Sequence, residues 1–290
     1  MKACAVIFVM VLALVGPVGA QIPDILEVVE IGAINEGAAA QLITSLEAIQ
    51  LNPRAKAILL MIDSPGGGVL ATKTMYDTIS KIRLPVTAWC DNRCASGGLY
   101  VAMAPNIKWV GARDITITGS MGVVAQNIRF SRLLEWAKVD LEVYRSGPLK
   151  DAGNPMRGST EAERAYLQAL VDTLAQQFYG DVRKARPKME EGDFQRLKDA
   201  RIILGNEAKR IGLIDAVASK DEAVKKAKEL SGSSSIYTRD ELKKMAKAAE
   251  EPRSYRYESV PSPFEQSLQL LHEVLAGEQV RFLYLMPYRF

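Results

Sequence analysis

From Asp24 onward, short apolar runs of the chain alternate with amphipathic stretches. The runs ILEVVEIGAI, KAILLMID, PVTAWC and IKWVG predict strands, and EGAAAQLITSLEAIQL and GVLATKTMYDTISKI between them predict helices. Repeated strand and helix winding of this kind gives a mainly parallel sheet with covering helices. The chain has 290 residues, of which 48% are hydrophobic, and this is enough for the core of a large α/β domain.

The pattern continues and then changes near residue 231. The run DLEVYRSG predicts another strand over 140–147, a long helix is expected over about 160–186, and LGNEAKRIGLIDAV predicts a short helix and a final strand. After that, SGSSS is typical of a flexible break, followed by a charged helical stretch and an amphipathic, aromatic-rich end. We therefore expect a main domain over 21–230 and a charged linker with a C-terminal extension over 231–290.

The first twenty residues have the pattern of a secretory signal sequence. One lysine precedes an apolar run from Ala3 to Val15, and small residues stand before Gln21. A retained membrane anchor is the alternative, because about 17 apolar residues can just cross a bilayer. In both cases the rest of the chain is expected outside the cytoplasm, in a periplasm or at the outer face of the cytoplasmic membrane.

Charge and cysteine content exclude several classes of function. The net charge is +3, from 37 basic and 34 acidic residues, so no strong field attracts a polyanion and nucleic acid is not expected as a partner. Cys90 and Cys94 would remain after removal of the signal, either as a small disulfide loop or as two buried thiols. Two cysteines without histidine neighbours do not predict a metal site.

The glycine run in MIDSPGGGV is the first candidate for chemistry. It follows a predicted strand and precedes a helix, where glycines allow close approach of a bound carbonyl and backbone amides face developing negative charge. Such amides can form an oxyanion hole. An ordinary tight turn and a phosphate loop are the alternatives, although the Gly-Lys-Ser/Thr ending of a Walker loop is absent.

The second candidate is Ser96 in CASGG, again at a strand-to-helix junction. A helix start favours a serine alkoxide, and the amide of Gly97 can serve as an oxyanion donor, whereas a simple helix cap is the alternative role. The single histidine of the chain, His272, is remote in sequence, so a histidine base is not favoured. A neutral lysine can replace it if an apolar or glycine-rich pocket surrounds the amine, and Lys150 in YRSGPLKDAGNP is the candidate.

Five motifs together give a resemblance to a known family. DSPGGGV, ASGGLYVA, ITGSMGVV, SGPLKDAGNPMR and LGNEAKRIGLIDAV, in this order, resemble the signal peptide peptidase A family of serine-lysine proteases. That resemblance implies the Clp protease/crotonase-like fold, a superhelix of repeated βαβ units. It also implies that Ser96 is the nucleophile and Lys150 the general base. Gly67 and Gly97 would supply the oxyanion amides, and Ser120 would orient the lysine.

Further expectations follow from this resemblance. The chain would be an endopeptidase without metal or cofactor, acting on extended apolar peptides such as released signal peptides. Short relatives of this kind form rings in which neighbouring subunits supply the serine and the lysine, so a homo-oligomeric ring and membrane association are expected. Two other functions remain open: a crotonase-type acyl-CoA enzyme, and a non-catalytic scaffold that binds peptides.

Overall fold

An eight-stranded sheet runs through residues 23–250, the part of the chain that the computed structural model describes. The strands are β1 (Asp24–Ile31), β2 (Ala55–Ser64), β3 (Val86–Ala95), β4 (Ile107–Ala112), β5 (Ile117–Gly119), β6 (Ile202–Leu204), β7 (Ala216–Val217) and β8 (Ile236–Thr238). Their order is β6-β5-β3-β2-β1-β8, with β4 paired to β3 and β7 paired to β4. Every pair is parallel except β5 with β6.

Helices connect the strands. They are α1 (Glu36–Leu51), α2 (Val69–Ser80), α3 (Gly97–Ala102), α4 (Ser131–Ala137), α5 (Glu161–Ala185), α6 (Glu191–Leu197), α7 (Gly205–Arg210), α8 (Lys220–Ser231) and α9 (Arg239–Glu250). None of the described helices is both long and apolar enough to cross a lipid bilayer. The mainly parallel sheet with its covering helices confirms the predicted fold class.

The core lies on both faces of β2 and β3. Ile58, Leu59 and Leu60 are fully buried although they are consecutive, because a parallel strand inside the sheet is covered by helices on both sides. The larger cluster joins one face of the sheet to α1, α2 and α3, and a smaller cluster around Trp89 joins the other face to α8. Removing each such side chain from water contributes about 1.5–3 kcal/mol. The two central strands are thus a rigid base for the residues at their carboxyl ends.

The predicted strand over 140–147 is wrong. This segment has no regular secondary structure, and its apolar side chains Leu141, Val143 and Tyr144 are exposed. A strand needs a neighbour to satisfy its amides and carbonyls, and the segment pairs with no strand of the described chain. Its apolar residues therefore remain at the surface.

The described part of the extension packs onto the sheet. After the turn at Gly232, β8 adds to the edge of β1 in parallel, and Leu242 of α9 is fully buried against Ile25. Residues 231–250 therefore complete the sheet rather than standing apart from it. The predicted signal segment over 1–20 and the predicted amphipathic tail with His272 lie outside the described residues.

Candidate active site

Ser96 sits on a strained turn between β3 and α3. Its φ of 52° and ψ of −122° lie in a region that non-glycine residues rarely adopt. The Ser96 amide donates to the Gly119 carbonyl at 3.0 Å, and the Ser96 carbonyl accepts from the Tyr100 amide at 3.0 Å. Strain of this kind costs on the order of 1–3 kcal/mol and is concentrated at functional sites. A serine held on a sharp strand-to-helix turn has the backbone arrangement of an activated nucleophile.

The glycine loop after β2 lies directly against this turn. A Cβ added to Gly66, whose φ is 100°, would come within 2.8 Å of both the Ser96 Cβ and the Gly97 amide nitrogen. Only glycine allows so close an approach. The two motifs, thirty residues apart in sequence, therefore form one site.

The amides of Gly67 and Gly97 are available to a ligand. A short parallel bridge to the loop after β1 uses the amides of Ile34 and Gly68, so the intervening Gly67 amide takes no part in it. Gly97 is the first residue of α3, where an amide has no acceptor within the helix. The family resemblance implied that both glycines are oxyanion donors, and in the structure both line the same cavity.

This cavity opens beside Ser96 and has a volume of about 120 Å³. Apart from Ser96 and the glycines, its wall is largely apolar and comes from α2, α3, α5 and the chain after β5: Val69, Thr72, Tyr100, Val123, Val124, Leu174 and Phe178. Thr72 Oγ1 is buried against Gly97 and has no hydrogen-bond partner within the described residues. A small apolar side chain next to the attacked carbonyl fits such a cavity.

A stack of aromatic rings supports the wall of the cavity. Tyr100 stacks on Tyr76 with ring centroids 4.8 Å apart and packs against Phe178 at 4.7 Å. The Tyr100 hydroxyl donates to Asp181 Oδ2 at 2.6 Å. Burial and this carboxylate raise the pKa of Tyr100 far above its ordinary value, and burial raises the pKa of Tyr76 to about 12. Both tyrosines are therefore neutral structural groups at physiological pH.

Ser120 follows a strand that pairs with the strand before Ser96. Strand β5 places Gly119 opposite Ala95, so Ser120 follows β5 where Ser96 follows β3. Ser120 also has a positive φ of 50°, and its amide donates to the Arg201 carbonyl at 2.8 Å. The partly buried Ser120 therefore lies at the carboxyl end of β5, next to the carboxyl end of β3 where Ser96 lies.

Lys150 lies in the long segment between β5 and α5 and does not line the cavity. Its side chain is exposed, in contrast to the apolar or glycine-rich pocket that a neutral amine requires. Its backbone is part of a turn, with the Lys150 amide donating to the Gly147 carbonyl at 3.1 Å. The described chain thus brings Ser96, Gly67, Gly97 and Ser120 together and leaves Lys150 at the surface. The role of each of these residues stays a prediction.

Comparison with known proteins identifies the family. The profile of Peptidase family S49 matches residues 78–234, and that of Clp protease matches residues 24–117. A Synechocystis protein named as a candidate protease is 34% identical over 204 residues, which is 69% of this chain and 72% of the relative. This chain belongs to peptidase family S49. The family resemblance inferred from the five motifs is thereby confirmed.

Other relatives of this S49 chain are also proteases by name. An Enterococcus faecium protein named as a candidate signal peptide peptidase SppA is 32% identical, over 67% of this chain and 57% of the relative. The chloroplastic serine protease SPPA of Arabidopsis thaliana is 31% identical, over 66% of this chain and 28% of the relative. The predicted enzyme class, a serine protease and hydrolase, is confirmed at the level of the family. The aligned part is less than two thirds of these two longer relatives.

Several residues of this S49 site escaped the sequence analysis. Leu174 and Phe178 are four positions apart on α5, a spacing that predicts a buried helix face but does not say that the face borders Ser96. Arg157 closes the motif SGPLKDAGNPMR, seven residues after Lys150, and was not assigned a role. Arg157 contacts Asp151 and Glu163, which the folding of the chain brings close to it.

The cysteine alternatives of this S49 chain resolve in favour of thiols. Cys90 and Cys94 are both free and buried in β3. The neighbouring Cys90 thiol and burial raise the pKa of Cys94 well above its ordinary value, so that thiol is an inert part of the core beneath Ser96. Within residues 23–250, no three His, Cys, Asp or Glu side chains form a group that could hold a metal ion.

Proposed function

We propose that this S49 chain is an endopeptidase that uses Ser96 as nucleophile and Lys150 as general base. The observation that carries the proposal is the strained Ser96, which lines a largely apolar cavity together with Gly67 and Gly97. A serine that only capped a helix would have no need of an unfavourable backbone conformation. The family supports peptide hydrolysis as the reaction.

The proposed reaction has two halves. Ser96 Oγ attacks the scissile carbonyl carbon while its proton passes to the neutral amine of Lys150, and the Gly67 and Gly97 amides donate to the resulting oxyanion. The intermediate collapses, the C–N bond breaks, and the lysine gives its proton to the leaving amine. Water then attacks the acyl-enzyme and loses a proton to the same lysine, the bond between the carbonyl carbon and Ser96 Oγ breaks, and the lysine returns the proton to Oγ as the carboxyl product leaves.

The proposed substrates are extended, apolar peptides such as released signal peptides. The apolar wall of the cavity supports this class, because a buried side chain at the cleavage site gains hydrophobic stabilisation there. The predicted signal segment supports action outside the cytoplasm, in a periplasm or at the outer face of the cytoplasmic membrane, with membrane association.

We further propose that the active form is a homo-oligomeric ring in which Lys150 serves the Ser96 of a neighbouring subunit. The segment that carries Lys150 exposes many large apolar side chains, among them Val124, Ile128, Trp136 and Tyr144. A large exposed apolar surface of this kind is typical of a protein interface. Contact with a neighbour would bury both this surface and the lysine.

The decisive experiment combines a covalent probe with peptide cleavage. A fluorophosphonate should label the wild-type protein on Ser96, and the protein should cleave an apolar fluorogenic peptide. Ser96→Ala should lose both labelling and cleavage, Lys150→Ala should lose cleavage, and His272→Ala should retain it. Wild-type protein that is neither labelled nor active would favour a non-catalytic scaffold, and an inactive His272→Ala with an active Lys150→Ala would refute the lysine base.

A further inference from the structure

A fork of hydrogen bonds from Arg157 ties the segment that carries Lys150 to α5. Arg157 Nε donates to Asp151 Oδ2 at 2.8 Å, and Nη1 donates to Glu163 Oε2 at 2.9 Å. Nη2 contacts the other Glu163 oxygen. The two carboxylates therefore bind one guanidinium, in a planar arrangement that specifies geometry as well as charge.

The Glu163 end of this fork is rigid. Its side chain is only 1% exposed, although glutamate is rarely buried unless it is paired. Glu163 also accepts from the Thr160 amide at 2.8 Å, while Thr160 accepts from the Glu163 amide, a capping box that begins α5. Farther along, α5 is anchored in the core by Phe178 and Val182.

The Asp151 end of the fork lies next to the proposed base. Asp151 directly follows Lys150, and Arg157 Nη2 also donates to the Asp151 carbonyl at 3.3 Å. Arg145 Nη1 holds the Asp151 Oδ1 from the other side at 2.7 Å. These donors lower the pKa of Asp151 far below its ordinary value, so it keeps its charge at any physiological pH.

The main chain of Lys150 is thus fixed on both sides although its side chain is exposed. Gly147 holds it from the N-terminal side by a turn, and Arg157 holds it from the C-terminal side through Asp151. The only regular element between β5 and α5 is the seven-residue helix α4, so ladder hydrogen bonds cannot supply this order. The fork supplies it instead.

We propose that Arg157 is a positioning residue for Lys150. Its guanidinium holds the Lys150 turn against the first turn of α5, so that the amine reaches the serine it serves from one fixed place. The inference rests on the proposed role of Lys150 as general base. Lysine cannot replace Arg157, because an ammonium group is a point charge that cannot bind two carboxylates in a planar fork.

The test compares Arg157→Lys and Arg157→Gln with a matched control, Arg164→Gln. Arg164 is close in sequence, and its exposed side chain donates to the Ser159 carbonyl at 2.6 Å. We expect both Arg157 variants to lower kcat by about 10- to 100-fold, since a misplacement of about 1 Å costs that much. KM should change less than about twofold, because the cavity beside Ser96 is built by other elements. Arg164→Gln should match the wild type.

Loss of Arg157 leaves the buried Glu163 with the Arg145 guanidinium, 3.9 Å away, as its remaining ionic partner, so folding is controlled separately. The double variant Arg157→Gln/Glu163→Gln removes that buried charge, and its thermal unfolding and native mass show whether the fold persists. It should still show the loss in kcat. Wild-type kcat in this folded double variant would overturn the inference.

A double-mutant cycle separates positioning from a general structural role. In a Lys150→Ala background, Arg157→Gln should not further reduce the rate at which a fluorophosphonate labels Ser96, since the residue through which Arg157 acts is absent. An additional loss equal to that in the wild-type background would overturn the inference. Full peptidase activity of Lys150→Ala would instead refute the proposed role of Lys150 as general base, so the two failures are distinguishable.

Discussion

At the scale of single residues, the site is shaped by what glycine allows. Gly66 and Gly97 let the loop after β2 and the turn at Ser96 touch, and the space of a Gly97 Cβ is filled by Thr72, whose Oγ1 would be 2.5 Å away. Both positions therefore require glycine, because a larger residue would collide with its neighbours. The sequence indicated the glycine loop and the helix start, but the unusual φ of Ser96 follows from packing between distant segments.

Gly66→Ala should damage the site, whereas Gly68→Ala should not. The new methyl group at position 66 would meet Ser96 at 2.8 Å in an unfavourable backbone conformation, while at position 68 its nearest neighbour would be 3.8 Å away in an extended conformation. We expect Gly66→Ala to lose about 1–3 kcal/mol of stability and most labelling of Ser96. Urea denaturation and fluorophosphonate labelling measure both effects. Equal behaviour of the two variants would contradict the packing described for Gly66.

At the scale of elements, helix ends and strand edges determine how the chain is assembled. Capping groups mark the starts of α1 and α5: Asn35 accepts from the Ala38 amide, and Thr160 forms its capping box with Glu163. These local signals explain why the predicted helices over 36–51 and 160–186 agree with the observed ones. The segment over 140–147 has the apolar pattern of a strand but no partner strand in the described chain. The local sequence does not show whether a partner strand is present.

The first turn of α5 gives a prediction about acid stability. Hydrogen bonds from Arg157 and then from the Thr160 amide lower the pKa of Glu163 from 4.5 to about 2. A carboxyl group with a lowered pKa stabilises the fold above its unfolded pKa, and this stabilisation is lost as the pH falls through the folded value. Glu163→Gln should therefore be less stable than the wild type at pH 7, and the difference should disappear toward pH 2.

Urea denaturation of both proteins between pH 7 and pH 2 measures this difference. Glu207→Gln is a suitable control, because the half-buried Glu207 of α7 pairs with two exposed side chains, Arg196 and Arg210. A stability difference for Glu163→Gln that does not change with pH would show that the carboxylate charge is not what stabilises the turn.

The edge formed by β8 and α9 gives a second prediction at this scale. Leu242 is fully buried against Ile25 of β1, whereas Lys244 on the same helix is exposed. Leu242→Ala should lower the free energy of unfolding by about 2–5 kcal/mol, and Lys244→Ala should change it little. Denaturation by urea measures both. A Leu242→Ala protein as stable as the wild type would mean that α9 does not contribute to the folded sheet.

At the scale of the whole molecule, the proposed roles of Ser96 and Lys150 require a second copy of the chain, because Lys150 is exposed and does not line the cavity beside Ser96. A charged, solvated amine cannot take a proton from serine, so the proposed ring would activate the site by burying the lysine at a subunit boundary. An isolated subunit should be inactive under this proposal. On dilution of the protein, peptidase activity and native mass should therefore fall together.

Complementation tests this arrangement directly. Ser96→Ala chains and Lys150→Ala chains, each inactive alone, should regain part of the activity when mixed and reassembled, because some sites receive an intact serine from one chain and an intact lysine from the other. Ser96→Ala chains that go through the same reassembly without Lys150→Ala chains serve as the control. Mixed rings, verified by native mass, that show no cleavage would place both residues of a site in one subunit.

The sequence by itself determined the order of the first strands and helices, the α/β class and the family, and it nominated the candidate residues Ser96, Gly67, Gly97, Ser120 and Lys150. These conclusions depend on local information: hydrophobic period, capping groups, glycine spacing and short motifs. Only the tertiary structure decided how Gly66 fits against Ser96, which side chains of α2 and α5 border the cavity, that β8 joins β1, and that Arg157 connects Asp151 to Glu163. Each of these depends on which distant surfaces meet in space, and the burial and contact energies that decide it are not contained in any local pattern.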